Sequence, residues 1–186
     1  MEIRPATLQD LERLIDLDGT IESPQYLHLA RTGEGLAAQW GLETRPLREK
    51  LVDANPVDDD LRFALKQVLS GIEEGIVLAA DHDDQLVGLA IAQPDVERKT
   101  LRVIDLRIDY DLRREGLGSA MLFQIIAHAR LLELRAVSAR TLTNNLPAAR
   151  FFQKAGFELA GVDTHFYSNH DLVKEAVAMF WYAALD

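Results

Sequence analysis

Leu106-Arg107-Ile108-Asp109-Tyr110-Asp111-Leu112-Arg113-Arg114-Glu115-Gly116-Leu117-Gly118-Ser119 is the stretch on which the fold turns. Apolar residues alternate with charged ones up to Asp109, as on a half-buried strand. An Arg-x-x-Gly-x-Gly loop follows, and Gly116 to Leu134 then reads as a long helix, apolar around most of its circumference and so predicted to be buried on several sides. A helix start leaves about four backbone N–H groups without partners and carries roughly half a positive charge. Glycines let an anion approach that backbone closely. Arg113 and Arg114 add positive charge. Strand, loop and helix together predict an anion site, with a pyrophosphate as the natural occupant. The alternative is that the glycines serve only to start a tightly packed helix.

Known pyrophosphate loops narrow the choice. A nucleotide P-loop needs Gly-Lys-Ser or Gly-Lys-Thr after its glycines, and the chain has neither at this point. A dinucleotide fingerprint wants an acid about 20 residues on, where Arg135 to Arg140 supply none. That fingerprint also belongs in a first strand–helix unit, whereas this loop lies past mid-chain.

Outward from the loop, Leu101 to Asp109 predicts a strand whose phase slips near Val103 and Ile104, as a bulge would make it. Ile76–Ala80 and Leu86–Ala92 predict a hairpin across the polar turn Asp81–Asp84, ended by Pro94. Glu2 to Ala6 reads as a strand, with Thr7 as a helix N-cap and Asp10 as its acidic partner. Leu61, Leu65, Val68, Leu69 and Ile72 predict a helix. Residues 19 to 75 are otherwise hard to read, broken by Gly33, Gly35, Gly41, Pro46 and Pro56. After the long helix come a strand Ala136–Leu142, a short helix Pro147–Ala155 stopped by Gly156, and strands Phe157–Val162 and Ala176–Ala183. The order predicts an α/β chain with a mixed sheet and helices on its faces.

Composition sets the frame. The 186 residues predict one domain over 1–186. Apolar residues make up 48% and charged residues 27%, an ordinary globular mix. The first 20 residues are too charged for a signal peptide, and no stretch approaches the roughly 20 apolar residues of a membrane span. No cysteine is present, which excludes disulfides, thiolate metal sites and cysteine nucleophiles and fits a cytoplasmic protein. A net charge of -10 argues against nucleic acid and suits cationic ligands such as amines, although solubility alone would also explain it. His165 and His170 lack metal-ligand spacing, and no metal is expected.

Three blocks in order resemble the Gcn5-related N-acetyltransferase (GNAT) superfamily. The family's coenzyme loop is Arg or Gln, two residues, Gly, one residue, then Gly or Ala, and Arg113, Gly116 and Gly118 match it. Asn145-Leu146-Pro147-Ala148-Ala149-Arg150-Phe151-Phe152-Gln153-Lys154-Ala155-Gly156-Phe157 is similar to its second signature: Asn, Ala three on, an aromatic pair, then Lys-x-Gly-Phe. Ile3-Arg4-Pro5-Ala6-Thr7 resembles its opening strand and helix start. A closer likeness, to the streptothricin acetyltransferase branch, rests on Thr143–Ala148, Gly161-Val162-Asp163 and Ala176–Tyr182.

The resemblance implies a mixed, mostly antiparallel six- to seven-stranded sheet flanked by helices, and an acetyl-CoA-dependent N-acetyltransferase acting on a primary amine of a small molecule. The other functions it leaves open are a protein N-terminal or lysine acetyltransferase and a non-catalytic acyl-CoA-binding module. It implies that the backbone of Leu106, Arg107 and Ile108 binds the pantetheine arm, with the Ile108 N–H polarising the thioester. The backbone of Arg113, Arg114, Glu115, Gly116, Leu117, Gly118 and Ser119 would hold the pyrophosphate. Asn145 would meet the coenzyme near its sulfur, although it is equally placed to cap the helix ahead of Pro147. The family's usual tyrosine acid is replaced by Phe152, which has no proton to give; Tyr110 and Tyr167 are the substitutes. Asp105 is the candidate base, with a salt bridge to Arg107 as its other reading, and Glu22, His28 and His82 are weaker candidates. Many relatives are homodimers, and the apolar final strand offers an edge for that, while core burial explains it as well.

Overall fold

The computed structural model describes residues 1–185. In chain order the elements are β1 (Glu2–Pro5), α1 (Asp10–Arg13), β2 (Ile21–Thr32), β3 (Gln39–Asp53), α2 (Asp59–Leu69), β4 (Ile76–His82), β5 (Gln85–Asp95), β6 (Thr100–Ile108), α3 (Leu117–Leu131), β7 (Ala136–Leu142), α4 (Leu146–Lys154), β8 (Glu158–Asp163) and β9 (Ala178–Ala184). The hydrogen-bonded succession β1-β4-β5-β6-β7-β9-β8 makes seven strands, and β2 pairs with β3 apart from them. β1–β4, β4–β5, β5–β6 and β8–β9 are antiparallel, while β6–β7 is parallel. This is the mixed, mostly antiparallel α/β architecture expected. No described helix is long and apolar enough to cross a membrane. The chain separates into two compact units, each taken by itself below.

The first unit holds residues 1–20, 54–139 and the C-terminal end from Ala183. The pleat of β4 and β5 sends alternate side chains to opposite faces. Val77, Ala79, Leu89 and Ile91 pack in a cluster with Leu14 and with Leu61 and Leu65 of α2. Gly88 faces the other way, where a Cβ would meet Ile108 Cδ1 and the Met121 sulfur of α3. Each fully buried Leu or Ile here contributes roughly 1.5–3 kcal/mol. Asp58 caps α2 by accepting the Leu61 N–H at 2.8 Å. The phase slip in β6 is a bulge: Ile91 faces Asp105 and Ala92 faces Val103, leaving Ile104 as the extra residue.

Three local readings need correction. Thr7 does not cap α1, whose N-cap is Gln9. The dependence runs the other way, with the buried Asp10 carboxylate accepting the Thr7 N–H and Oγ1–H while pairing with Arg4 and Arg13. The Arg4 hydrogen bonds hold the Asp10 carboxyl well below the usual carboxylate range. α3 is buried along a stripe, Leu117, Met121, Leu122, Ile125 and Ala129, and leaves Phe123 and Leu131 exposed. β5 runs through Pro94 to Asp95, Pro94 lying opposite Leu101.

The second unit holds residues 21–53 and 140–182. Its glycine- and proline-broken first segment forms two long strands, with Gly33 at a positive φ of 75° in the connection. A register shift between Ser23 and Gln25 absorbs Pro24. Asn145 caps α4 by accepting the Ala148 N–H at 3.2 Å, and Pro147 sits in the first turn, where no N–H is needed. Thr143 ties the unit together. Its carbonyl accepts from Leu27 N–H at 3.0 Å, its N–H donates to Val177 O at 2.9 Å, and its hydroxyl donates to Glu175 O at 3.0 Å while accepting the Val177 N–H. Trp181 Nε1 donates to Thr141 Oγ1 at 2.9 Å in the interior. β9 begins at Ala178 and has β8 beside it on one side and β7 on the other, so it is not the free edge envisaged for a dimer.

Candidate functional site

In an antiparallel pair only alternate residues turn their peptide groups toward the partner strand. The Asp109 N–H donates to Val87 O at 2.8 Å, so β6 residues 107 and 105 share that phase and point at β5. Leu106 and Ile108 therefore point their N–H and C=O to the opposite edge. Pairing of that edge with β7 consists of Thr100↔Ala136, Leu101↔Val137 and Arg102↔Ser138, and among the described residues it goes no further. The main chain of Leu106 and the N–H of Ile108 thus face away from β5, to which that of Arg107 is committed, while the Ile108 carbonyl accepts from Arg113 Nε.

The segment after β6 turns through a short 3-10 helix at Tyr110–Leu112, capped by Asp109, which accepts the Asp111 N–H at 3.2 Å. Arg114 has φ 68° and Gly116 φ 89°, a left-handed pair of corners. Gly116 is the N-cap of α3, whose first bond at this end is Ala120 N–H to Gly116 O at 3.0 Å. Leu117, Gly118 and Ser119 consequently have no acceptor within the helix for their N–H groups. Arg114, Glu115, Gly116 and Ser119 are exposed and Leu117 is buried, so the helix is anchored by its apolar stripe while its polar end faces outward.

Arg113 is not a loose cation. Its Nε donates to Ile108 O at 3.0 Å, its Nη1 donates to Thr20 O at 2.5 Å, and its guanidinium lies over the Tyr110 ring at 5.1 Å. Arg114 carries the exposed positive charge of the loop, beside the exposed carboxylate of Glu115. Arg107 works in the same way nearby. It is buried, donates from Nε and Nη2 to the two oxygens of Asp105 at 2.7 and 2.8 Å, and donates from Nη1 to Asn55 O at 2.8 Å. Asn55 Nδ2 in turn donates to Gly19 O at 3.3 Å. Asp105, the expected base, has both oxygens on this arginine, which is the salt bridge weighed against that role.

Asn145, Phe152 and Tyr167 belong to the second unit. Asn145 uses its side-chain oxygen for the cap on α4. Phe152 is buried edge-to-face against Phe151 and Phe157, with centroids at 5.2 and 5.1 Å, so the aromatic pair and the final Phe of the motif form a small core. Tyr167 is 56% exposed, packs on Phe166, and has the Arg140 guanidinium 5.5 Å from its ring. Its N–H donates to Asp171 at 2.9 Å. Sequence reading missed Tyr26 and Glu175. Tyr26 and His28 sit two apart on β2 with Oη and Nδ1 at 3.0 Å. That period-two pairing would have signalled itself only once β2 was recognised as a strand. Among the described residues, no His, Cys, Asp and Glu gather in numbers that could hold a metal ion.

The model of the acetyltransferase (GNAT) family matches residues 40–157. The chain belongs to this family. Streptothricin acetyltransferase A of Bacillus subtilis (strain 168) is 33% identical to this GNAT chain over 78 residues, 42% of the chain and 44% of the relative. Streptothricin acetyltransferase of Escherichia coli is 26% identical over 110 residues, 59% of the chain and 63% of the relative. The GNAT chain thus matches less than two thirds of the length of either curated relative. A crystal structure from Bacillus anthracis str. Ames, provisionally assigned as a streptothricin acetyltransferase and in complex with acetyl coenzyme A, has a TM-score of 0.78 at 19% identity. It covers 100% of this GNAT chain and 97% of its own, a likeness of fold.

Proposed function

We propose that residues 1–186 work as one N-acetyltransferase domain that moves the acetyl group of acetyl-CoA to a primary amine of a small molecule, in a ternary complex and without a covalent enzyme intermediate. One observation supports it above the others: the outward N–H groups of Leu117, Gly118 and Ser119 stand at the head of α3, just beyond a β6 edge whose pairing with β7 stops at Arg102. Such a site suits a diphosphate followed by an amide-bearing arm, which is the layout of a CoA thioester. The net charge of -10 favours a cationic acceptor, and the names of the two curated relatives support an antibiotic amine. The cysteine-free composition supports a cytoplasmic setting.

In this reading the amine must first lose a proton, since a free alkylammonium has a pKa near 10.4. Its lone pair then forms the N–C bond, the carbonyl electrons move onto oxygen, and the C–S bond breaks as they return. The outward N–H of Ile108 is proposed to hold that oxygen. The thiolate leaves with its electron pair, and the nitrogen gives up a second proton, to that thiolate or to water, as it becomes the amide; with an ordinary thiol pKa near 8.5, Phe152 need not supply an acid. Asp105 and Tyr167 remain the proposed proton carriers of this scheme, Asp105 acting through water beyond its ion pair.

The test has two parts. Calorimetric titration of the full chain with acetyl-CoA is expected to show binding that Gly118→Glu weakens at least about 100-fold, because a carboxylate would face the diphosphate. Thiol release is then followed with streptothricin, an aminoglycoside, a polyamine and an N-terminal peptide. Release with the small amines supports the reading. Release with the peptide alone replaces it with a protein acetyltransferase, and binding without release replaces it with a coenzyme-binding module.

A further inference from the structure

We infer that two copies of this chain join through the outer edge of β3, strand against antiparallel strand, about a twofold axis at Thr44. The inference concerns the second unit alone and does not depend on the acetyltransferase reading.

The β2–β3 register shows which main-chain groups face outward. The Leu27 N–H donates to Thr143 O at 3.0 Å, so Leu27 turns its peptide groups away from β3. Thr44 stands directly opposite Leu27 and therefore turns its own away from β2. Pairing is unbroken from Gln25↔Pro46 to Thr32↔Gln39. The alternation thus puts the N–H and C=O of Trp40, Leu42 and Thr44, and the C=O of Pro46, on the outer edge. Among the described residues no strand pairs with that edge, and Gln39 to Pro46 are all exposed.

An open edge invites pairing, and proteins blunt the edges that must stay single. The far half of β3 is blunted. Residues 47–50 stand against Pro24 alone, which breaks the ladder, and Arg48 and Lys50 add charge there. From Gln39 to Thr44 the edge carries no such device.

Charge selects a second copy as the occupant. The chain as a whole carries -10, yet β3 is balanced, with Glu43, Glu49 and Asp53 against Arg45, Arg48 and Lys50. Glu43 and Arg45 pair along one face of the strand. A twofold axis perpendicular to the ribbon sets one residue opposite itself and the others symmetrically about it. An axis at Glu43 or Arg45 brings like charges together. Axes from Gln39 to Leu42 leave both charges facing uncharged residues. An axis at Pro46 sets Glu43 against Glu49 and has no N–H to donate at its centre. At Thr44 each Glu43 faces the other copy's Arg45, and four charges alternate in a ring. The hydrogen bonds agree with this axis. Thr44 N–H donates to the second copy's Thr44 carbonyl, and Leu42 N–H donates to its Pro46 carbonyl. Pro46 serves as an acceptor there, and its missing N–H leaves only the Leu42 carbonyl to water.

This edge is shorter than the roughly 800 Å² per partner of a standard interface requires, so a dissociation constant of about 10–100 μM is expected. Sedimentation velocity of the full chain across that range is the first measurement. Glu43→Arg sets like charges opposite each other twice and is expected to weaken the dimer about tenfold or more. Adding Arg45→Glu restores the alternation and should recover the wild-type constant to within about threefold. Thr44→Pro removes an N–H that the β2 ladder does not use and should abolish the dimer. If that variant fails to fold, the charge pair carries the test. The chain has no cysteine, so Thr44→Cys under mild oxidation reads this contact alone and should cross-link two copies. Leu36→Cys, on the exposed hairpin connection far from the axis, should not. A wild-type chain that stays monomeric throughout, with no cross-link in Thr44→Cys, overturns the inference. A dimer that Glu43→Arg leaves untouched overturns it as well, since the copies then meet elsewhere.

Discussion

The hairpins β5–β6 and β2–β3 have the same hydrogen-bond pattern and opposite burial. Leu86 to Ala92 of β5 are buried without a break, because α2 covers one face and α3 the other. On β3 only Leu47 and Leu51 of fifteen residues rise even to half-buried. A strand covered on both faces must be apolar throughout and tolerates no added volume, whereas an exposed one is held mainly by its ladder and its neighbour's cross-strand contacts. The lesson is about division of labour. The buried pair fixes the backbone that presents Leu106, Ile108 and the α3 loop, and the open pair carries polar side chains such as His28 and Glu22 where water and ligands reach them.

The sharpest way to break that contrast is at Arg107, the one buried cation of β6. Arg107→Met would leave Asp105 facing the interior without its partner and Asn55 O without its donor. We expect a loss of about 3 kcal/mol in urea unfolding, the lower end of what an orphaned ion-pair partner costs. Adding Asp105→Leu should recover most of it, since an apolar pair needs no counter-charge. A single variant that unfolds like the wild type would mean β6 is held no more tightly than β3.

The same contrast explains what could be read in the sequence. Apolar runs at 76–80 and 86–92, and the phase slip at Ile104, were legible because burial on both faces writes itself as hydrophobicity and a bulge writes itself as a shift in alternation. The loop from Arg113 to Ser119 was legible because glycine at Gly116 answers a backbone need, φ 89°. β2 was not legible. Its buried positions, Ser23, Tyr26 and Leu29, fall three apart and not two as on a regular half-buried strand; the register shift after Ser23 resets the phase between the first two, while Tyr26 to Leu29 pair with β3 without a break. The guanidinium of Arg113 was legible as charge but not as a clamp, since its acceptors, Ile108 O and Thr20 O, are main-chain atoms that any residue could supply. Tyr26 and Glu175 stand far apart in sequence and meet only through tertiary structure.

A smaller effect is expected at Gly88. An added Cβ there would lie 3.0 Å from Ile108 Cδ1 and 3.2 Å from both Ala80 Cβ and the Met121 sulfur. The isoleucine tip and the methionine can swing, but the alanine methyl is fixed to the backbone of β4. Gly88→Ala should therefore cost about 1–2 kcal/mol by overpacking, visible as a lower urea midpoint with unchanged slope. A rise in the midpoint would show that α3 can ride outward freely, and the sense of a closed, two-sided packing around β5 would be wrong.

Gly41 of β3 is the counterpart, and its substitution should give the smallest effect and the opposite sign. It too is a mid-strand glycine, opposite Ala30 in the β2–β3 register, but no atom lies within 4 Å of where a Cβ would stand. Its φ is not in the left-handed region, so an alanine meets no backbone strain. What remains is the unfolded state. A glycine there samples more conformations than an alanine, and restricting them favours the folded chain by about 0.5 kcal/mol. Gly41→Ala should raise the urea midpoint slightly while Gly88→Ala lowers it, although both are the same chemical change in the same kind of element. If both variants move in the same direction, the difference in burial between the two hairpins is not what sets their tolerance.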